Sequence, residues 1–263
     1  MNSITKDSKM KYLQYLLAAS VRRLRKNYAK TPYLDYFSRF LELDEPTMVF
    51  THDIDEGYEP NIDGIVDIEK KYGIRSTMFL LAMSHPSRKW ISKNSKWDFQ
   101  YHANFIGNSA RKVIEEKNII DSLIGKKTEI VRAHQYHLPD LRLVKDHFKA
   151  DSSYDNWTKL TLMKPFLTTL GLIEFPHIPE IEFVNLHKNK GGNIMELYKE
   201  IVKMARQNSG LVVVLTHPTP FKRYGKQIQE FFMSQDGFKV RTLDDIMANL
   251  RRKHKVDYLP KSL

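Results

Sequence analysis

Apolar residues along the chain follow one spacing before Pro46 and another after it. In the first part they recur every three or four positions, with arginine and lysine on the other faces, which predicts a basic amphipathic helix. Its apolar stripe consists of Leu13, Leu16, Leu17, Leu24 and Tyr28. After Pro46, short β-rich runs alternate with longer helical stretches. We therefore predict a basic helical extension over residues 1–45 and one folded domain over residues 46–263.

Alternating strands and helices are typical of a parallel sheet or barrel that is covered by helices. The predicted strands cover residues 47–51, 76–81, 98–102, 130–134, 150–153, 172–175 and 211–217. The predicted helices cover residues 63–72, 110–123, 140–148, 194–207 and 226–232. No internal repeat or low-complexity linker divides the domain.

Composition narrows the chemistry that this domain can carry out. The chain has 263 residues, 41% of them hydrophobic, which is enough for one domain with a buried core. It has no cysteine, so thiolate nucleophiles are excluded, and any metal must be held by His, Asp or Glu. The formal net charge of +11 favours an anionic partner. Because the basic residues are scattered and form no nucleic-acid-binding motif, we expect no specific nucleic-acid partner.

The N-terminal sequence and the lengths of the apolar runs bear on location. Residues 1–7 contain no apolar signal-peptide core, and the longest apolar runs, such as 211–215, are too short to cross a bilayer. We expect a cytoplasmic protein. The basic helix before Pro46 would either dock its apolar stripe on the domain or lie on an anionic membrane at the inner face.

Aspartate or histidine stands at the end of several predicted strands. Asp53 and Asp55 follow the first strand, His102 ends the third, His134 ends the fourth with His137 just beyond it, and His217 ends the last. In a parallel barrel the carboxyl ends of the strands and the loops after them converge on one face, where catalytic groups gather. The sequence therefore predicts a cluster of carboxylates and imidazoles at one end of the domain.

The residue types indicate what such a cluster could do. Strand alternation places Asp53 and Asp55 on the same side, where two carboxylates need a cation or a shared proton to offset their repulsion. An acidic loop that caps the next helix is the alternative. Neutral imidazoles with a carboxylate suit Zn²⁺ and leave a coordination position for water. His217 emerges from an apolar run and would protonate a leaving amine, or else simply pack at the strand end.

The order of these motifs resembles that of the polysaccharide deacetylases with a NodB-homology domain, over residues 48–246. Residues 51–55, Thr-His-Asp-Ile-Asp, are similar to the first motif of that family. They look like the variant from O-antigen and surface-polysaccharide biosynthesis, which has one residue between the two carboxylates. The resemblance implies that Asp53 is the general base and Asp55 a metal ligand.

The second motif departs from the family pattern. The family has two metal-binding histidines there, and only the first is present, as His102, whereas apolar residues occupy the region of the second. His134 stands with Arg132 in the region of the family's Arg-x-Pro motif. The resemblance implies that His134 supplies the missing nitrogen, with His137 as the other candidate.

Later segments also resemble family motifs. Arg132 resembles the arginine that holds the catalytic aspartate, and His217 in Thr-His-Pro is similar to the general acid of the terminal motif. Residues 151–157, Asp-Ser-Ser-Tyr-Asp-Asn-Trp, resemble the motif that lines the cleft, and residues 240–246 resemble the family's ending. The residues expected to contact substrate are His52, Tyr136, His137, Tyr154, Asp155 and Trp157. The aromatic side chains of Tyr136, Tyr154 and Trp157 would stack on a sugar ring or else belong to the core.

The resemblance implies a fold and a function. The expected fold is α/β, a distorted (β/α)7 barrel, and residues 46–263 would be the catalytic domain. The expected function is metal-dependent hydrolysis of an N-acetyl or N-formyl group from an amino sugar in surface-polysaccharide (O-antigen-like) biosynthesis, with Zn²⁺ as the cofactor. The sugar would be carried on a nucleotide or a lipid phosphate, which basic side chains would contact. The alternative is a metal-free barrel that binds a glycan without catalysis.

Overall fold

The computed structural model describes residues 33–136, 138–154, 164–178, 194–218, 229, 233 and 235–256. One sheet is formed by ten strands: β1 (Phe37–Phe40), β2 (Thr47–Ile54), β3 (Thr77–Leu81), β4 (Asp98–Ala103), β5 (Ile130–Ala133), β6 (Ala150–Asp151), β7 (Phe166–Thr168), β8 (Ile173–Glu174), β9 (Leu211–Thr216) and β10 (Lys239–Val240). The helices are α1 (Glu59–Tyr72), α2 (Arg88–Lys93), α3 (Ala110–Ile124), α4 (Ile194–Gln207) and α5 (Leu243–His254).

Seven parallel strands make up a distorted barrel. Their order is β9-β2-β3-β4-β5-β6-β8, and every neighbouring pair is parallel. The two ends of this run meet just beyond β8, where His177 forms a parallel bridge with Val213 and the Ile178 N–H donates to the Val213 carbonyl at 2.9 Å. β7 and β1 extend the sheet beyond β8 as an antiparallel edge. The predicted α/β fold with a distorted (β/α)7 barrel is confirmed.

Strand β2 lies at the centre of this arrangement, and all eight of its residues are buried. β9 pairs along one edge, whereas β10 and β3 follow each other along the opposite edge. Met48 packs against residues of α1 and α4, and Val49 faces the barrel interior. Because side chains alternate along a strand, Asp53 belongs to the interior face and His52 to the helix-covered face.

Helix α5 closes the amino end of the barrel. Thr242 begins the helix, because its hydroxyl accepts a hydrogen bond from the Asp245 N–H at 3.2 Å. The helix then packs its apolar stripe against the interior residues Val49 and Phe79. That buried stripe consists of Leu243, Ile246, Met247 and Leu250. With this end filled by side chains, the polar groups gather at the other end.

The predicted helix over residues 140–148 is wrong. The structure has only a 3₁₀ turn there, Leu141–Leu143, which Asp140 begins by accepting a hydrogen bond from the Arg142 N–H at 2.8 Å. Leu141, Val144 and Phe148 are all buried, so the helix-like spacing of these apolar residues comes from consecutive turns that pack against the sheet.

Other differences concern short elements and the N-terminal part. Helices α2 and α5 and strands β1, β7 and β10 were not predicted from the sequence. The predicted amphipathic helix over Leu13 to Tyr28 lies outside the described residues, as does most of the helix predicted over residues 226–232. β1 precedes the predicted domain boundary at residue 46 and pairs with β7, and the boundary itself stays a prediction.

Within the described part of the chain, no helix combines the length and apolar character that spanning a bilayer requires.

We expect Ile65→Ala to lower the free energy of unfolding by about 2–5 kcal/mol, because it removes a fully buried side chain between α1 and the sheet. Ile119→Ala on α3 makes the same chemical change at a side chain that is 50% exposed, and should change that free energy by less than about 0.5 kcal/mol. Urea unfolding followed by circular dichroism measures both variants. Equal losses would contradict the packing of α1.

Candidate active site

Five polar side chains converge at the carboxyl end of the barrel. Asp53 lies near the end of β2 and Asp55 just beyond it, His102 lies in β4, and His134 and His217 directly follow β5 and β9. These strands are neighbours or are separated only by β3, so their ends surround one point. The structure therefore brings together five of the six residues on which the sequence prediction of a polar cluster rested, and the sixth, His137, lies outside the described residues.

Asp55, His102 and His134 each present one ligand atom, and these atoms all lie within 4.8 Å of one another. Nε2 of His102 is 3.1 Å and Nδ1 of His134 is 3.3 Å from Oδ1 of Asp55. The two ring nitrogens are 3.2 Å apart. One carboxylate and two imidazoles are a donor set that zinc accepts at catalytic sites, with a further position left for water.

The hydrogen bonds of His102 test whether a cation fits there. Its Nδ1 lies 3.0 Å from the carbonyl oxygen of Arg132, which can only accept, so Nδ1 carries a proton. In the neutral ring, Nε2 then presents a lone pair to Oδ1 of Asp55, a buried oxygen with no well-placed donor among the described residues. Two facing lone pairs repel unless a cation lies between them. A ring held by a backbone carbonyl is also typical of metal-binding histidines, so the residues fit a divalent cation.

Arg132 is fully buried inside the barrel and holds Asp53 in place. Its Nη1 donates to Oδ1 of Asp53 at 3.0 Å and to the hydroxyl of Thr51 at 2.8 Å. Its Nε and Nη2 donate to the carbonyl and the hydroxyl of Ser152, each at 2.8 Å. The guanidinium also lies over the ring of Phe79, 4.2 Å from its centroid. These contacts fix one oxygen of Asp53 and leave the other, Oδ2, 3.7 Å from Nε2 of His102.

Arg132 and the neighbouring imidazoles lower the pKa of both carboxyl groups, which favours their ionised forms. Burial raises the pKa of Asp53, but electrostatic interactions with His102, Arg132 and His217 outweigh burial and leave the pKa below its usual value. Burial also raises the pKa of Asp55, and there the facing imidazoles of His102 and His134 outweigh it, so that the pKa falls well below its usual value. Ionised carboxylates are the forms that bind a cation and accept a proton.

The exposure of the side chains gives the site an inner and an outer part. Asp53 and His102 are nearly inaccessible, with side chains 3% and 1% exposed. His134 and His217 are 19% and 22% exposed and lie on the solvent side. Nε2 of His217 is 3.6 Å from Oδ2 of Asp55, so this imidazole faces the ligand set from the accessible side.

Local backbone geometry holds the ligands in position. The hydroxyl of Ser84 donates to the carbonyl of Asp55, which ties the loop after β3 to the loop after β2. These loops touch at Gly57, where a Cβ would lie only 2.4 Å from the carbonyl oxygen of His85. Next to His134, Gln135 has a φ of 53°, a left-handed conformation that is costly for a residue other than glycine.

A second pair of carboxyl groups lies deeper in the barrel. Asp151 and Glu174 are register partners in β6 and β8, and both are fully buried. Burial and the adjacent Asp151 raise the pKa of Glu174 well above its usual value. Sequence reasoning missed Glu174, whose signal is an acidic residue inside an otherwise apolar strand. It also missed the roles of Thr51 and Ser152 as partners of Arg132.

The structure contradicts the prediction that His52 contacts substrate, because its side chain lies away from the other site residues. Its ring is fully buried on the helix-covered face of β2, opposite to Asp53. Nε2 lies 2.9 Å from Oε1 of Glu69, and Nδ1 lies 2.6 Å from the hydroxyl of Thr216. The prediction failed because strand alternation turns His52 away from its neighbours in the motif.

The remaining predicted contacts with substrate stay predictions. Tyr154 is half-buried, and its ring packs edge-on against Phe166 with the centroids 6.2 Å apart. Tyr136 ends the 3₁₀ turn that begins at His134, and its side chain is not among those the structure describes. His137, Asp155 and Trp157 lie outside the described residues. The choice between His134 and His137 as third ligand therefore rests on the position of His134 alone.

Comparison with solved structures identifies the fold. A candidate polysaccharide deacetylase from Mycobacterium smegmatis superposes with a TM-score of 0.62 at 15% identity, over 86% of this chain and 98% of that one. A candidate polysaccharide deacetylase involved in O-antigen biosynthesis, from Bordetella bronchiseptica, gives a TM-score of 0.52 at 15% identity, over 79% and 91%. A variant of the peptidoglycan deacetylase PdaC from Bacillus subtilis gives 0.50 at 13% identity, over 81% and 94%. No protein-family model and no curated protein matches the sequence. The chain thus has the fold of polysaccharide deacetylases.

We expect the purified protein to bind about one equivalent of Zn²⁺, and Asp55→Ala or His134→Ala to weaken that binding by more than about tenfold, because each removes one of three ligands. Equilibrium dialysis with elemental analysis measures the affinity. His147→Ala is the matched control, since His147 is exposed and precedes β6 at the amino end of the barrel. Equal zinc affinity in all four proteins would contradict the assigned ligand set.

Proposed function

We propose that this protein is a metal-dependent deacetylase that hydrolyses the N-acyl group of an amino sugar. The observation that carries the proposal is the position of two groups beside the Asp55–His102–His134 set. They are an ionised carboxylate, Asp53, on the buried side and an imidazole, His217, on the accessible side. The solved structures with this fold that bear the name deacetylase support the same reaction class.

Asp55, His102 and His134 would hold the metal, with Zn²⁺ the ion that best suits this donor set. When bound, such an ion polarises an acyl carbonyl and makes a water molecule more acidic. His134 and Asp55 are partly exposed, which gives the acyl group access to this point from solvent.

Asp53 is suited to the role of general base. Arg132 fixes one of its oxygens at 3.0 Å, and Oδ2 is directed toward the ligand set. Because the carboxylate is ionised and cannot rotate freely, it can take a proton from a water molecule that attacks the acyl carbon. The arginine thus contributes by orienting the base and by keeping it charged.

His217 is suited to the role of general acid. Hydrolysis of an amide must expel an amine, a poor leaving group that has to be protonated as the carbon–nitrogen bond breaks. His217 is the accessible imidazole that faces Asp55 from the end of β9, 3.6 Å away. A proton on this ring would be delivered from the side on which a substrate can enter.

The proposed substrate is an N-acetyl or N-formyl amino sugar used in building a surface polysaccharide. The Bordetella structure, whose printed description names O-antigen biosynthesis, supports this choice. The net charge of +11 favours a sugar carried on a phosphate, either a nucleotide or a lipid phosphate. We propose a cytoplasmic site of action, with the basic N-terminal segment as a contact to the membrane where a lipid carrier would be presented.

We expect the zinc-loaded protein to release acetate or formate from N-acylated amino sugars, and a chelator to abolish the release. Asp53→Asn and His217→Gln should each lower kcat by about 10²- to 10⁴-fold while zinc content is retained, because each removes one proton transfer and no ligand. Acyl release is measured on free, nucleotide-linked and lipid-linked N-acetyl and N-formyl amino sugars. His147→Gln, the same change as His217→Gln at an exposed histidine, is the control.

Two results would contradict the proposal. A zinc-loaded protein that releases no acyl group from any of these sugars would exclude the deacetylase function for this substrate class. A protein that binds glycans but takes up no metal would instead favour the metal-free glycan-binding barrel.

A further inference from the structure

Five polar side chains form a buried network on the face of β2 that is opposite to the active site. Oε1 of Glu69 lies 2.9 Å from Nε2 of His52, and Oε2 accepts hydrogen bonds from Ser76 at 3.0 Å and Trp97 at 2.5 Å. Nδ1 of His52 lies 2.6 Å from the hydroxyl of Thr216. Glu69 stands on α1, so the network joins that helix to β2 and β9.

The network satisfies its own hydrogen bonds. The carboxylate of Glu69 can only accept, so Nε2 of His52 donates to it, and in the neutral ring Nδ1 then accepts from the hydroxyl of Thr216. His52 and Glu69 are fully buried, and Thr216 is 1% exposed. A hydroxyl at this depth cannot reach a substrate, so the sequence hydroxyl–imidazole–carboxylate is not a nucleophilic triad.

The strand register links this network to the active site. His52 and Thr216 are register partners, and theirs is the last pair between β2 and β9. Asp53 follows His52 and His217 follows Thr216 along the chain. Both Asp53 and His217 lie on the opposite face, at the active site. The contact between His52 and Thr216 is therefore the last side-chain contact between paired residues of β2 and β9 before the chain reaches His217.

We infer that His52, held between Glu69 and Thr216, is a positioning residue that sets the distance between Asp53 and His217. This inference rests on the proposed function, in which those two groups act as base and acid on one substrate. A buried imidazole with both nitrogens bonded has one orientation, and it transmits the position of α1 to the ends of β2 and β9. Loss of the contact between His52 and Thr216 would leave the metal ligands Asp55, His102 and His134 in place but would let His217 move.

The test is Thr216→Val, which keeps the shape of the side chain but removes the hydroxyl that His52 contacts. We expect kcat to fall by about tenfold or more, with KM and zinc content within about twofold of wild type, since misplacing a catalytic group by about 1 Å can cost up to about a hundredfold. Thr216→Ser restores the hydroxyl and should retain kcat within about twofold of wild type. Thr168→Val is the control for loss of a buried hydroxyl. The hydroxyl of Thr168, at the end of β7, donates a hydrogen bond to the Leu172 carbonyl and is not part of the network around His52.

A readout without substrate separates this inference from the proposed function. In protein labelled with ¹⁵N-histidine, the NMR signals of the His217 ring, assigned with His217→Gln, should shift or broaden in Thr216→Val and not in Thr216→Ser or Thr168→Val. If Thr216→Val does not fold, His52→Gln, which removes the imidazole nitrogen that contacts Thr216, takes its place with the same expected results. Unchanged kcat and unchanged His217 signals would overturn the inference. An inactive wild type would refute the function only, and the NMR comparison would still decide on the role of His52.

Discussion

The buried ion pair between Arg132 and Asp53 is the interaction on which the interior of the barrel depends. Neither side chain could stay charged at this depth alone, because an unpaired buried charge costs several kcal/mol, roughly 3–5 when one partner is removed. The guanidinium meets that requirement with four hydrogen bonds to Thr51, Asp53 and Ser152. The ion pair therefore explains both why polar residues occupy this interior and why Asp53 has a fixed orientation.

The two faces of β2 carry residues with different proposed roles. Asp53 faces inward, where the chemistry is proposed to occur, and His52 faces outward into a network anchored on α1. β9 repeats the division with His217 and Thr216. Period-two alternation thus lets adjacent residues of one motif serve catalysis and positioning separately. The buried network takes the place of apolar contacts beneath α1. We infer that its role is to orient the ends of β2 and β9.

Much of the fold could be predicted because its signals are local. β9 is a continuous apolar run, α4 has a clear helical period, and both lie where the sequence predicts them. The segment 140–148 has the same apolar period but forms consecutive turns that bury the same side chains, so this spacing alone does not distinguish a helix from turns. The part of the site that could be predicted consists of the Asp and His residues at the ends of strands. Glu69 and Glu174 were missed because their partners lie in other strands and helices, and no spacing within one segment reveals such contacts.

Anomalous X-ray diffraction from zinc-soaked crystals, recorded at the zinc absorption edge, would show whether Asp55, His102 and His134 bind a metal ion. We expect one strong peak at about 2.0–2.2 Å from a carboxylate oxygen of Asp55, Nε2 of His102 and Nδ1 of His134. A peak bound through His137 or His217 in place of His134, a peak elsewhere, or no peak in zinc-saturated crystals would contradict it.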